Sequence, residues 1–118
     1  MREKPRDKGR LQHIATSISN IDKFLTDKTA DDFLLDAMLY FAVVKNMEII
    51  GEAAYMLTPE FRDRHPQTPW RDIINMRHIL VHGYYQVDSR EVWSTIVRDL
   101  PVLKKQIEGY LQETEDRS

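Results

Sequence analysis

One stretch of this 118-residue sequence limits its possible folds more than any other. Over residues 33–44 the only charged side chain is Asp36, so a helix there would be apolar around most of its circumference. Such a helix must be covered on several sides by other elements. Charged residues return at Lys45 and Glu48, which argues against a membrane span. We therefore predict one long helix over residues 31–57, with one face packed on a second copy of the chain.

Apolar residues at helical spacing predict three more long helices. The stripe of the first helix comprises Leu11, Ile14, Ile18, Ile21 and Leu25. The next long helix opens at Pro69 and stops at Gly83, because proline suits a first helical turn and glycine is favoured just after a last one. The final helix is capped by Asp88 or Ser89, and we expect Pro101 to kink or break it.

No alternation of apolar and polar residues predicts a strand, so the predicted fold class is all-α. The expected architecture is an antiparallel four-helix bundle with a short extra helix at residues 60–64, assembled as a dimer. The length and the 42% hydrophobic content are typical of one globular domain, which we place at residues 11–118. Residues 1–10 carry five basic and two acidic side chains, which indicates a flexible basic tail.

The composition excludes several kinds of active site. Without cysteine, the chain cannot use a thiol nucleophile, a disulfide or cysteine-ligated zinc. Its four glycines do not form a nucleotide-binding loop. No signal peptide or membrane segment is evident, so we expect a cytoplasmic protein. A net charge of −2 argues against coating nucleic acid by charge alone, but it allows a local basic site.

An arginine interrupts the apolar face of the helix that opens at Pro69. Arg77 has Ile73 and Leu80 as helical neighbours, and burying its charge is costly unless the charge is paired. One interpretation is structural: the side chain reaches solvent or pairs with an acid of the bundle. The candidate acids are Glu48, Glu52 and Asp72.

Two histidines, His78 and His82, lie four residues apart and therefore share one side of the same helix end. Two imidazoles at this spacing could bind a metal, but no third ligand is evident, and we predict neither a metal site nor a cofactor. A histidine in a last helical turn also interacts favourably with the helix dipole, which requires no catalysis. Tyr84, taken alone, indicates only a packed ring with a hydrated hydroxyl.

Together these residues form one pattern, R-x4-H-x-Y, from Arg77 to Tyr84. In a small all-α chain, this pattern resembles the HEPN superfamily and, within it, the HepT-like family. The resemblance covers roughly residues 10–113. Its further parts are the segments Glu48–Ala54, Pro69–Ile73 and Asp99–Pro101, with Asp88, Val92 and Trp93.

The resemblance implies a function and a set of site residues. Proteins of this kind are metal-independent endoribonucleases that act as the toxins of two-gene toxin–antitoxin pairs. Arg77 and His82 are then the catalytic pair, and they meet across a homodimer interface. Tyr84 is the residue to which a nucleotidyltransferase antitoxin adds AMP, and both Tyr84 and His78 support the site. His78 stands where the family usually has Asn or Asp, so its role stays open.

Elementary chemistry agrees with such a site. RNA carries its own nucleophile, the 2′-OH, so cleavage needs a proton acceptor near neutral pH and a cation for the charge that develops on the phosphate. Histidine and arginine suit these two roles. Residues five apart lie roughly 140° apart around a helix, so Arg77 and His82 do not converge within one chain unless the helix end unwinds. Two helix ends that meet in a dimer would bring them together.

Further basic residues could line the same cleft, or could simply lie in solvated segments. They are Arg62, Arg64, His65, Arg71 and Arg90. One alternative function is a non-catalytic subunit that binds a nucleotide or a nucleotidyltransferase partner in this cleft. Another is a dimeric helical scaffold in which Arg77 forms a structural ion pair.

Overall fold

The computed structural model describes residues 3–83 and 87–116, with side chains over 6–83 and 87–114, and this part of the chain contains helices but no strand. The six helices are α1 (Glu3–Leu25), α2 (Ala30–Leu35), α3 (Ala37–Met56), α4 (Pro59–Arg64), α5 (Trp70–His82) and α6 (Ser89–Asp116). The central α3 packs against both α1 and α5, and α6 packs along α1. The prediction of an all-α fold is confirmed, and the packing is bundle-like, with two short helices instead of one.

The core is built from the predicted stripe of α1 and one face of α3. Leu11, Ile14 and Ile21 are fully buried, and Leu25 packs at the edge of the core. The buried apolar residues of α3 are Val43, Val44, Met47, Ile50, Ala53 and Ala54. Because they recur at spacings of three and four, they face α1 and α5 from one helix. None of the helices in the described part of the chain is both long and apolar enough to cross a membrane.

The single long helix predicted over residues 31–57 is wrong, because Asp36 divides it into α2 and α3. Asp36 has an extended backbone, with φ −111° and ψ 101°, and its carboxylate accepts a hydrogen bond from the Leu39 N–H at 3.1 Å. A short acidic side chain that satisfies a free backbone donor favours a new helix start over an uninterrupted helix. Thr29 and Asp32 form a reciprocal capping box on α2, and the hydrogen bonds from Thr29 lower the pKa of the Asp32 carboxyl.

Helix α1 extends into the segment that was predicted as a basic tail, because it begins at Glu3 and its first turns are packed. Asp7 is only 4% exposed. The backbone N–H and the hydroxyl of Thr58 donate to its two carboxylate oxygens at 2.9 and 2.8 Å. The Thr58 hydroxyl in turn accepts from the Phe61 N–H and caps α4. Because the first ten residues are rich in charged side chains, the sequence does not reveal that one of them, Asp7, has a buried partner.

We expect Asp7→Ala to lower the free energy of unfolding by about 1–3 kcal/mol, because it leaves a buried N–H and hydroxyl without their acceptor. Urea denaturation followed by circular dichroism measures the loss. Asp22→Ala is the matched control on the same helix, since its exposed pair with Lys104 contributes about 0–1 kcal/mol. Equal losses in the two variants would mean that the first turns of α1 contribute no specific stability.

The last helix starts at its predicted cap, and it is not broken at Pro101. The Asp88 carboxylate accepts from the Arg90 N–H at 2.9 Å and so caps α6. The helix then continues through Pro101 to Asp116 without a break. Proline removes one helical hydrogen bond, and the burial of Leu100 and Ile107 on either side offsets that loss.

An aromatic cluster fixes the connection between α4 and α5. The His65 ring stacks on Phe61 at a centroid distance of 4.1 Å and meets the Tyr110 ring at 4.5 Å. The Trp70 indole N–H donates to the His65 carbonyl at 3.0 Å, which anchors the first turn of α5. Burial raises the pKa of the Tyr110 hydroxyl. The start of the helix that carries the predicted site is therefore held against α6.

Candidate active site

Gly51 allows α5 to approach α3 closely at Arg77. A Cβ added at Gly51 would overlap the Arg77 Cβ and would lie 3.0 Å from its Cγ and 3.1 Å from the Ile73 carbonyl oxygen. Only a residue without a side chain leaves this space open. The aliphatic part of the Arg77 side chain therefore packs against α3 at Gly51.

The guanidinium of Arg77 forms an ion pair with Glu52, the residue that follows Gly51. Its Nη2 lies 2.9 Å from Glu52 Oε1, and the two side chains are 37% and 51% exposed. Of the three acids that the sequence offered as partners, the structure selects Glu52. An ion pair with this much exposure contributes about 0–1 kcal/mol, so the guanidinium can exchange its carboxylate for another anion at little cost.

Arg77 opens into a shallow cavity of about 200 Å³ between α1, α3 and α5. The cavity is lined by Arg10, His13, Lys45, Glu48, Ile49, Glu52, Ala53, Arg77 and Val81. Arg10, His13 and Lys45 were missed as site residues. Their sequence signal is weak, since it appears only once the packing of α1 on α3 is known.

His78 and His82 lie next to each other on the exposed side of α5. Their ring centroids are 4.6 Å apart with an angle of 53° between the planes. His82 is in the last turn of the helix, and neither ring lines the Arg77 cavity. The structure thus brings the two histidines together but leaves Arg77 and His82 on different sides of the helix. This agrees with the separation of roughly 140° that their spacing predicts.

The other predicted site residues are placed elsewhere. Arg62 and Arg64 belong to α4, Arg71 to the first turn of α5 and Arg90 to α6, and none of them lines the cavity. Tyr84 lies outside the described residues. Within the ranges 3–83 and 87–116, no three His, Asp or Glu side chains are grouped so that they could hold a metal ion.

An exposed apolar stripe runs along α2 and α3 toward the cavity. Leu35 is 87% exposed, Met38 84% and Phe41 57%. Ile49 lies two helical turns beyond Phe41, past the exposed Lys45, and belongs to the cavity wall. Exposed apolar side chains of this size are typical of an interaction surface.

A larger cavity of about 480 Å³ lies between α5 and α6, with Met47 and Ile50 of α3 among its lining residues. Its remaining walls are largely apolar, and they include none of the predicted site residues. Size alone therefore does not identify the candidate site, because the predicted residue Arg77 lines the smaller cavity.

Comparisons with known proteins identify relatives over most of the chain. The family described as "Ribonuclease HepT-like" matches residues 14–109. A Thermococcus cleftensis protein named "Probable ribonuclease HepT" is 41% identical over 83% of the chain and 89% of its own length. A Methanocaldococcus jannaschii protein named as a gamma-glutamylcyclotransferase and "putative RNase" is 40% identical over 87% of the chain, which covers 46% of that protein. A "Putative RNase" of Caldanaerobacter subterraneus is 38% identical over 87% of the chain and 92% of its own length. No solved structure matches the chain at a significant level.

Proposed function

The chain belongs to the HepT-like ribonuclease family, and on that premise we propose that it is a cytoplasmic, metal-independent endoribonuclease and the toxin of a two-gene toxin–antitoxin pair. One observation carries the proposal for this chain. The R-x4-H-x-Y pattern begins at Arg77, whose guanidinium opens into a cavity with three further basic side chains.

The proposed reaction uses the 2′-OH of RNA as the nucleophile. His82 takes the 2′-OH proton as the oxygen attacks the adjacent phosphorus, and the bond from phosphorus to the 5′ oxygen breaks. The leaving 5′ oxygen takes a proton from water, and the proton that His82 later releases restores the balance. The products are a cyclic phosphate and a 5′-hydroxyl end. Arg77 donates hydrogen bonds to the phosphate oxygens, where negative charge builds up in the transition state.

We propose that two copies of the chain complete the site. Within one chain, Arg77 lines the cavity while His82 lies on the exposed side of α5. The apolar stripe of Leu35, Met38 and Phe41 lies on α2 and the start of α3, the helix that also carries the cavity residue Ile49, and its exposure is costly for a lone chain. A second copy on the stripe would cover it and would place its own α5 end beside the first.

The proposed antitoxin is a nucleotidyltransferase that adds AMP to Tyr84. This proposal rests on the family resemblance and on the position of Tyr84 two residues after His82. A bulky adduct with a negative phosphate would occupy the place of the RNA phosphate and would compete for the same arginine.

The Arg77–Glu52 ion pair favours a second candidate function, in which the cavity binds a nucleotide or the nucleotidyltransferase without cleavage. A guanidinium that an exposed ion pair holds in place can bind another anion once the carboxylate is displaced, whether or not a histidine reaches it. This candidate predicts binding of the partner, no RNA cleavage and no growth arrest.

Expression of the chain alone and together with a small nucleotidyltransferase of the family's antitoxin type tests the proposal. We expect the unmodified chain to arrest growth and to cut RNA in the presence of EDTA. The coexpressed chain should be inactive and heavier by the mass of AMP on the peptide that contains Tyr84. An unmodified chain that leaves total RNA intact would contradict the nuclease function and favour the binding subunit.

A further inference from the structure

Two basic side chains of α1 line the cavity and have no partner in the part of the chain that the structure describes. Arg10 and His13 are three residues apart, which places them on one side of the helix, and both line the cavity next to Arg77. Neither forms a hydrogen bond or an ion pair with any residue that the structure describes. Basic side chains that line a common concave surface indicate a site for an anion.

The charges around the cavity leave a positive surplus. Its two acids are each close to a base: Glu52 pairs with Arg77 at 2.9 Å, and Glu48 lies 3.9 Å from the Lys45 ammonium. Among the described residues that line the cavity, Arg10 is therefore a positive charge without a carboxylate partner. The chain as a whole has a net charge of −2, so this surplus is a local property of the cavity.

The size and lining of the cavity indicate which part of a nucleic acid it can hold. At about 200 Å³ it is smaller than the pockets of roughly 300–1,000 Å³ that enclose small molecules. Among the residues that the structure describes, no aromatic side chain other than the His13 imidazole lines it, whereas single-stranded bases are usually bound by stacking on aromatic rings. A phosphate group matches both the space and the charge.

We propose that Arg10, His13 and Lys45 form a subsite for a backbone phosphate of the RNA, adjacent to the phosphate that Arg77 contacts. The inference rests on the proposed ribonuclease function and extends it from the catalytic motif to α1 and α3. A subsite of this kind holds the strand through its backbone, so it contributes to affinity for every RNA sequence alike.

Binding of a 2′-O-methyl RNA oligonucleotide tests the subsite separately from cleavage, because this RNA lacks the nucleophile. Fluorescence anisotropy gives the Kd of the wild-type protein, Arg10→Gln and Lys45→Gln at several salt concentrations. Lys23→Gln is the matched control, since it removes an exposed cation from α1 far from the cavity. Thermal melting and the elution volume in gel filtration check that each variant keeps its fold and assembly.

We expect Arg10→Gln and Lys45→Gln each to weaken binding by about three- to tenfold, and to reduce the slope of log Kd against log salt by about 0.7, as for one lost contact to single-stranded RNA. Lys23→Gln should change neither quantity. Equal effects of all three variants, or no effect of Arg10→Gln, would overturn the subsite.

Two additional measurements distinguish the RNA subsite from a site for free phosphate and from the proposed cleavage activity. The imidazole NMR signals of His13 should move when the RNA is added and should stay in place when inorganic phosphate is added at the same concentration. Saturation by inorganic phosphate alone would overturn the assignment to RNA. Cleavage of unmodified RNA by the wild-type protein is scored separately, so intact binding without cleavage would contradict the proposed enzyme and leave the subsite supported.

Discussion

His82→Ala should lower the rate of RNA cleavage by about 10²–10⁴-fold, the usual contribution of a positioned proton acceptor. Arg77→Ala should cause a comparable loss, about 10²–10³-fold, because it removes the donors that face the developing phosphate charge. Both variants should keep their fold, since both side chains are at least partly exposed. Cleavage of a fluorescent RNA in EDTA under single-turnover conditions measures the rates.

Arg71→Ala serves as the control for Arg77→Ala, because Arg71 is an exposed arginine of the same helix that does not line the cavity. The stability of Arg77→Ala separates catalysis from the scaffold alternative. An exposed ion pair contributes about 0–1 kcal/mol, so a much larger loss of unfolding free energy together with unchanged cleavage would favour the structural role.

Mixing the two inactive variants tests whether Arg77 and His82 come from different copies. In a dimer with shared sites, a mixed pair of Arg77→Ala and His82→Ala contains one site with both residues intact. Random exchange should therefore restore about a quarter of wild-type activity, because half of the dimers are mixed and each has one of two sites. A mixture that stays inactive after subunit exchange would show that the proposed shared site is wrong.

Gly51→Ala should separate α3 from α5 and reduce both stability and activity. The added Cβ overlaps Arg77 Cβ, whose position is set by the backbone, so the helices must move apart. Overpacking of this kind costs about 1–3 kcal/mol. The shift also displaces the guanidinium relative to Glu52, so we expect cleavage to fall by more than the loss of folded protein explains.

Gly109→Ala is the matched control, because it makes the same chemical change in α6 where an added Cβ meets nothing within 4 Å. Alanine is about 1 kcal/mol more favourable than glycine inside a helix, so this variant should become more stable. The difference between the two free energies of unfolding measures the steric cost at Gly51. Equal stabilisation of both variants would mean that α3 and α5 do not approach as closely as described.

The parts of the fold that follow one helical period were predictable from the sequence. The stripe of α1 and the start and end of α5 each depend on residues within one segment, and the structure has them as expected. The break at Asp36 was not predicted, although a single acid in an apolar run is a recognisable cap signal. The prediction of one long helix gave more weight to the apolar run than to this single acid.

The candidate site also contains residues that were predictable from the sequence and residues that were not. Arg77 and His82 come from one continuous pattern in the sequence, which supports both a catalytic and a structural interpretation of Arg77. The sequence offered three acids as ion-pair partners of Arg77 and could not select among them, because it does not show how α3 and α5 cross. Arg10, His13 and Lys45 belong to two helices that meet only through tertiary packing, so no spacing rule could group them.

The contact between Asp7 and Thr58 has a consequence for how the chain acquires its structure. The two residues are 51 positions apart, so during synthesis the first turns of α1 leave the ribosome long before their partner exists. Closing such a loop carries an entropic cost that local helix formation does not. The first turns of α1 should therefore reach their packed position late, when α3 and α4 dock. A protein that starts at residue 11 would lack Asp7, the carboxylate that joins these elements.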